Sequence, residues 1–146
     1  MGLALRAIGA RGVLWLYARR QAGVADALLM RQVESIGRAL GVRRKVRLRQ
    51  SHHMATPVVA GCFRATLILP ARFAEQYTSA EQEAILAHEL AHVAARDPAW
   101  QLAADLLAAA LWWHPLAWWL RQRLRAASEA AADEASLLVP GGPDVL

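Results

Sequence analysis

The residues best placed to do chemistry in this 146-residue chain are His88, Glu89 and His92, within Ile85-Leu86-Ala87-His88-Glu89-Leu90-Ala91-His92. On an α-helix, positions four apart lie one turn above each other on the same face. His88 and His92 can therefore aim two imidazoles at one point, which suits a tetrahedral zinc ion. Glu89 is displaced to the side, where its carboxylate can act as general base toward a water on the metal without occupying a coordination position.

Two imidazoles and a base leave the centre short of a third protein ligand, with a fourth position kept open. No cysteine follows the motif, the only one being Cys62, and the only later histidine is His114, beside Pro115. Glu129, in Ser128-Glu129-Ala130-Ala131-Ala132-Asp133-Glu134-Ala135, is the better candidate. Glu129 and Asp133 are four apart on what the alanine content makes a helix. Glu129 would bind zinc, while Asp133, one turn on, would accept the free N–H of a ligand histidine and fix its tautomer. A solvated acidic face on an Ala-rich helix is the bland alternative, and His-Glu-x-x-His tips the choice to ligands. The oxyanion donor stays unassigned, with His114 and Arg125 as candidates.

The motif needs a helix that packs. Thr78-Ser79-Ala80-Glu81-Gln82 opens one with a capping box, and Ile85, Leu86, Leu90 and Val93 give it an apolar flank. Upstream, Leu29, Val33, Ile36 and Leu40 recur at helical spacing between Ala25 and Leu40, and Gly41 can end that helix. Val42 to Arg49 alternates as a half-exposed strand, and two β-rich segments around Ala60-Gly61-Cys62 form a hairpin. A strand just before the metal helix has a use: its free edge could hold an extended peptide across the zinc. His52 and His53 are read as loop residues. Downstream, Asp97-Pro98 reads as N-cap and first position of a helix reaching Trp113. His114-Pro115 breaks the chain, and a third helix runs to about Leu138. The fold expected is α+β: a mainly helical, zincin-like domain with a small antiparallel sheet before the metal helix and an apolar helical hairpin after it.

The chain carries 17 Lys and Arg against 12 Asp and Glu, and 56% of it is hydrophobic, with a mean hydropathy of +0.20. That is one domain's length, divided here into a basic amphipathic segment or parent-chain stub (1–24), a catalytic domain (25–138) and a flexible tail (139–146). One cysteine excludes an internal disulfide framework. Arg43, Arg44, Lys45, Arg47 and Arg49 hold much of the basic excess, with no groove-reading motif beside them; a solvated or lipid-facing strand edge is favoured over a nucleic-acid site. Residues 99–120 are long enough to span a bilayer. Yet Gln101, Asp105 and His114 interrupt them, which argues against a straight span; contact with a membrane, at its surface or within it, is expected over an apolar hairpin buried in a larger core. Trp112, Trp113, Trp118 and Trp119 cluster at the bend, as rings do at a lipid–water boundary, with Arg121, Arg123 and Arg125 near head groups.

The chain resembles the BlaR/MecR-type antirepressor membrane metallopeptidases, relatives of the Ste24/HtpX group among gluzincin-like zinc proteases. The resemblance covers about residues 42–138. It rests on Pro57-Val58-Val59-Ala60-Gly61 followed by Leu67-Ile68-Leu69-Pro70, on the run from Ile85 to Gln101, and on Trp112-Trp113-His114-Pro115-Leu116 leading to Glu129-x-x-x-Asp133-Glu134. It implies one zinc held by His88, His92 and Glu129, with Glu89 as general base and Asp133 behind the ligands. It also implies an active site at the cytoplasmic face of a bacterial inner membrane and a protein substrate, a transcriptional repressor among the options. Such proteins usually carry further transmembrane helices and, in receptors, an extracellular sensing domain. The further helices are absent or left out of this sequence and no segment of it reads as a sensing domain, so no antibiotic-sensing role is expected from it. Ala132 stands where a cysteine often precedes the aspartate.

The reading is a zinc-dependent, membrane-associated endopeptidase that acts in regulatory proteolysis. Two rivals belong to other classes: a catalytically idle zinc-binding scaffold or regulatory subunit, and a basic nucleic-acid-binding module resting on Arg38 to Arg49. Oligomeric state is left open.

Overall fold

A computed structural model describes residues 26–138; the expected N-terminal segment (1–24) and tail (139–146) lie outside them. Helix α1 (Ala27–Ala39) starts at Asp26, whose carboxylate accepts the Leu28 N–H at 3.1 Å. It stops at Gly41, which takes φ +72, a conformation costly for any residue with a Cβ. Three strands follow, β1 (Arg47–Ser51), β2 (Val58–Ala60) and β3 (Thr66–Pro70), in the order β1-β3-β2.

The sheet is mixed, which corrects the expected antiparallel one. β2 and β3 form the antiparallel hairpin, Val59 opposite Leu67. β1 runs parallel to β3, with Arg47 opposite Thr66 and Ser51 opposite Pro70. The chain reverses into β2 and again into β3, so β3 emerges in the direction of β1 and takes it on its remaining side. β3 is therefore central and has no free edge; among the described residues the open edges belong to β1 and β2. The strand expected from Val42 also begins later. Residues 42–46 lie outside β1, because Val42 N–H closes on Gly37 O at 2.8 Å and Arg44 is drawn aside.

After a short turn of helix α2 (Phe73–Gln76) comes α3 (Ser79–Ala94), which carries the His-Glu-x-x-His residues. Its capping box is complete: Glu81 N–H donates to the Thr78 hydroxyl, and the Glu81 carboxylate accepts Thr78 N–H at 2.6 Å. Those bonds favour the charged carboxylate and lower its pKa. Leu86, Leu90 and Val93 of α3 pack in one core with Leu29 and Val33 of α1 and with Leu48, Leu67 and Leu69 of the sheet. Fully burying a side chain of this size stabilises by about 1.5–3 kcal/mol, so the core fixes one side of α3 and leaves the other for α4 (Asp97–Ala110) and α5 (Pro115–Leu137).

The α4–α5 pair is the helical hairpin anticipated from the sequence, though α4 ends at Ala110 and a turn carries the chain through Trp113. It is apolar on the outside: Trp100, Leu106, Trp112, Trp113, Leu116 and Trp119 are all exposed. No described helix is long and apolar enough to cross a membrane. Between the two helices lies a buried charge cluster. Asp105 of α4 is 1% exposed and accepts from Arg121 at 2.5 Å and Arg125 at 3.4 Å. A buried carboxylate requires such partners, and this one ties α5 to α4.

Candidate metal centre

The helix that begins at Thr78 and packs through Leu86, Leu90 and Val93 turns His88 and His92 to its opposite side, where α5 lies. Their rings stand 4.9 Å apart with Nε2 atoms 3.3 Å from each other. Glu129 of α5 points its Oε2 at the same place, 3.8 Å from His88 Nε2 and 4.0 Å from His92 Nε2. One ligand atom from each of the three lies within 4.8 Å of the others.

Both Nδ1 atoms face carboxylates. His92 Nδ1 is 2.7 Å from Asp97 Oδ2, and His88 Nδ1 is 3.2 Å from Asp133 Oδ1. A neutral imidazole beside a carboxylate presents its N–H there. Both Nε2 lone pairs are then turned toward one another and toward a third carboxylate, an arrangement that a cation between them makes favourable. In a tetrahedral zinc site with bonds of ~2.0–2.1 Å, ligand atoms stand about 3.3–3.4 Å apart. The imidazole pair already has that separation, and the Glu129 oxygen lies about 0.5 Å beyond it. The donor set fits zinc.

Asp97 was legible only as a helix cap, and that assignment needs correcting. Arg96 occupies the cap position in a left-handed conformation, φ 59 and ψ 32, and Asp97 is the first helical residue, with Pro98 next. The abrupt turn at Arg96 folds the Asp97 carboxylate back onto His92. Ser128 of α5 completes the group: its hydroxyl donates to Asp97 Oδ2 at 2.5 Å and lies 3.3 Å from His92 Nδ1. A separation of five residues is not a helical contact, so spacing along the sequence concealed the Asp97 pairing. Arg44 was legible only as one charge of a basic strand edge. Its guanidinium donates to Val93 O at 2.6 Å and to Cys62 O at 3.2 Å, anchoring the last turn of α3 to the β2–β3 connection.

Glu89 is half-buried next to both imidazoles. Burial pushes its carboxyl pKa up, His92 and His88 pull it back, and Glu129 adds to the rise. The two oxyanion candidates are placed elsewhere in the hydrogen-bond network. His114 accepts Leu116 N–H at 3.3 Å and caps α5, and Arg125 reaches Asp105. His52 follows β1 in a turn, and His53 N–H donates to Ser51 Oγ at 3.2 Å.

No curated protein matches the chain. A family model described as BlaR1 peptidase M56 matches residues 1–139, a longer stretch than the motifs alone delimit. That family's activity class is peptidase, and among the described residues His88, His92 and Glu129 form a group that could hold a metal ion. Nearly the whole sequence is covered, and the chain belongs to the BlaR1 peptidase M56 family.

Proposed function

We propose that the chain is a zinc-dependent endopeptidase of the His-Glu-x-x-His…Glu type that works on protein substrates at a membrane surface in regulatory, antirepressor-like proteolysis. The observation that carries the reading is the opposed pair of Nε2 atoms, 3.3 Å apart and backed by Asp97 and Asp133, with Glu129 across from them. When bound there, zinc supplies a Lewis acid that polarises a carbonyl and brings the pKa of water toward ~7.

The chain's own residues do the rest. Glu89 takes a proton from the attacking water and delivers it to the departing amine. Asp97 and Asp133 hold the two imidazoles in one tautomer and orientation. β2, whose outer edge is open and which packs beside α3, offers backbone groups for an extended substrate.

The exposed tryptophans of α4 and α5 support contact with a lipid boundary, where such rings concentrate. Arg123 lies over Trp119, 5.3 Å from the ring centre, and so brings positive charge to the same face.

Glu89→Gln tests the mechanism. The variant should bind one zinc as wild type does and lose about 10²–10⁴-fold in peptide-bond cleavage, followed by metal analysis and by mass spectrometry of a denatured-protein substrate. Equal cleavage by variant and wild type removes Glu89 from the reaction. A zinc-loaded wild type that cleaves nothing leaves a metal-binding scaffold.

A further inference from the structure

The basic excess is concentrated in one place. A cavity of about 610 Å³ lies along β1, lined by Arg44, Lys45, Arg47, Arg49 and Arg64, with Phe63 at its rim and no acidic residue in its wall among the described residues. These five cations equal the chain's entire net charge of +5, so the remaining residues carry 12 of each sign. Charges on an open strand edge deter edge-to-edge pairing, and one or two achieve that. Five around a single concavity create a positive field.

The lining is also amphipathic. Met30 and Leu48 contribute apolar surface, and Phe63, on the β2–β3 turn, is 97% exposed. A phenyl ring left in water beside arginines gains by entering an apolar phase while the guanidiniums stay at its boundary. One wall is held firmly, because Arg44 is bonded to Val93 O and Cys62 O. Lys45, Arg47 and Arg64 are exposed and present donors that match phosphate oxygens, the arginines in bidentate fashion.

We propose that this cavity is a binding site for the phosphate of an anionic phospholipid, with Arg47, Arg64 and Lys45 on the head group and Phe63 entering the acyl boundary. A duplex nucleic acid is the poorer match: among the described residues the cavity presents a strand edge and a turn, with Phe63 its one aromatic ring and no helix offered to a groove. The site is separate from the apolar face of α4 and α5 and does not depend on zinc.

The test is co-sedimentation of the full chain with phosphatidylcholine vesicles, with and without phosphatidylglycerol. Neutral vesicles report the tryptophan face, and the gain in binding on adding phosphatidylglycerol reports the cavity. That gain should weaken with salt and fall roughly 30-fold in R47Q/R64Q, the loss expected for two cations near a lipid surface. Zinc content should be unchanged, and binding to neutral vesicles likewise. Phe63→Ala should lower affinity for the anionic vesicles and leave any affinity for free glycerol phosphate as it was. No gain with phosphatidylglycerol, or a gain that survives R47Q/R64Q, overturns the proposal. Free glycerol phosphate binding as tightly as the vesicles would make the ligand a soluble phosphate instead. Tighter binding to duplex DNA than to anionic vesicles at physiological salt would reassign the surface to nucleic acid.

Discussion

His92 and His88 have the same chemical neighbour, a carboxylate at Nδ1, in opposite surroundings. The His92 side chain is 13% exposed and Asp97 11%, with Ser128 buried against both. The His88 side chain is 26% exposed and Asp133 67%, with the contact half an ångström longer at 3.2 Å against 2.7 Å. One half of the centre is built into the junction of three helices, and the other is left at the surface. Hydrogen bonds to charged groups strengthen as water is excluded, and exposed pairs are screened. The buried half should therefore hold its imidazole in place, while the open half can yield as Glu129 closes the remaining half-ångström.

The largest effect expected from this contrast is at Asp97. Asp97→Asn should lower zinc affinity about 100-fold, the upper end for loss of a carboxylate behind a ligand histidine, as read by competition with a chromophoric chelator. Asp133→Asn should cost about 10-fold in the same assay. Equal losses, or the reverse order, would break the comparison. Ser128→Ala comes next: it leaves Asp97 one donor short and should cost about 1 kcal/mol of stability, with a smaller loss of zinc affinity than either carboxylate variant.

The smallest effect is read in the metal-free chain, at the base between the two halves. Because burial raises the folded-state pKa of Glu89, ionising it opposes folding. The cost is absent below the ordinary carboxylate pKa, appears as pH rises above it and is complete above the raised folded value. Metal-free Glu89→Gln should therefore unfold at higher denaturant than wild type at pH 7 and at the same concentration near pH 3. The two imidazoles offset part of the burial, which keeps this difference small.

Much of the centre was readable in the residue pattern because its chemistry is local. His88, Glu89 and His92 sit within two turns of one helix, and Thr78 with Glu81 marks where that helix starts. Glu129 and Asp133 could be picked out because His-Glu-x-x-His calls for a third ligand, which a carboxylate pair four apart on a later helix can supply. Asp97 escaped because its partnership depends on the backbone of Arg96, and nothing in an arginine announces a left-handed turn. Arg44 escaped for a related reason: its acceptors are main-chain oxygens of Cys62 and Val93, which leave no trace in side-chain identity. The sheet was half legible. The β2–β3 hairpin follows from Gly61 and its flanking β-formers, whereas the parallel placement of β1 follows from the number of chain reversals, which alternation of polar and apolar residues does not encode.

Both imidazoles come from α3 and the carboxylate that faces them from α5, at the far end of the helical hairpin. A bound cation would therefore act as a clasp between segments that are remote along the chain, and only the folded molecule offers it all three atoms. Its stabilising effect then grows with the logarithm of free zinc concentration. Copies made under metal scarcity would be looser at the hairpin and easier for other proteases to cut, so zinc supply would set the lifetime of the molecule as well as its activity.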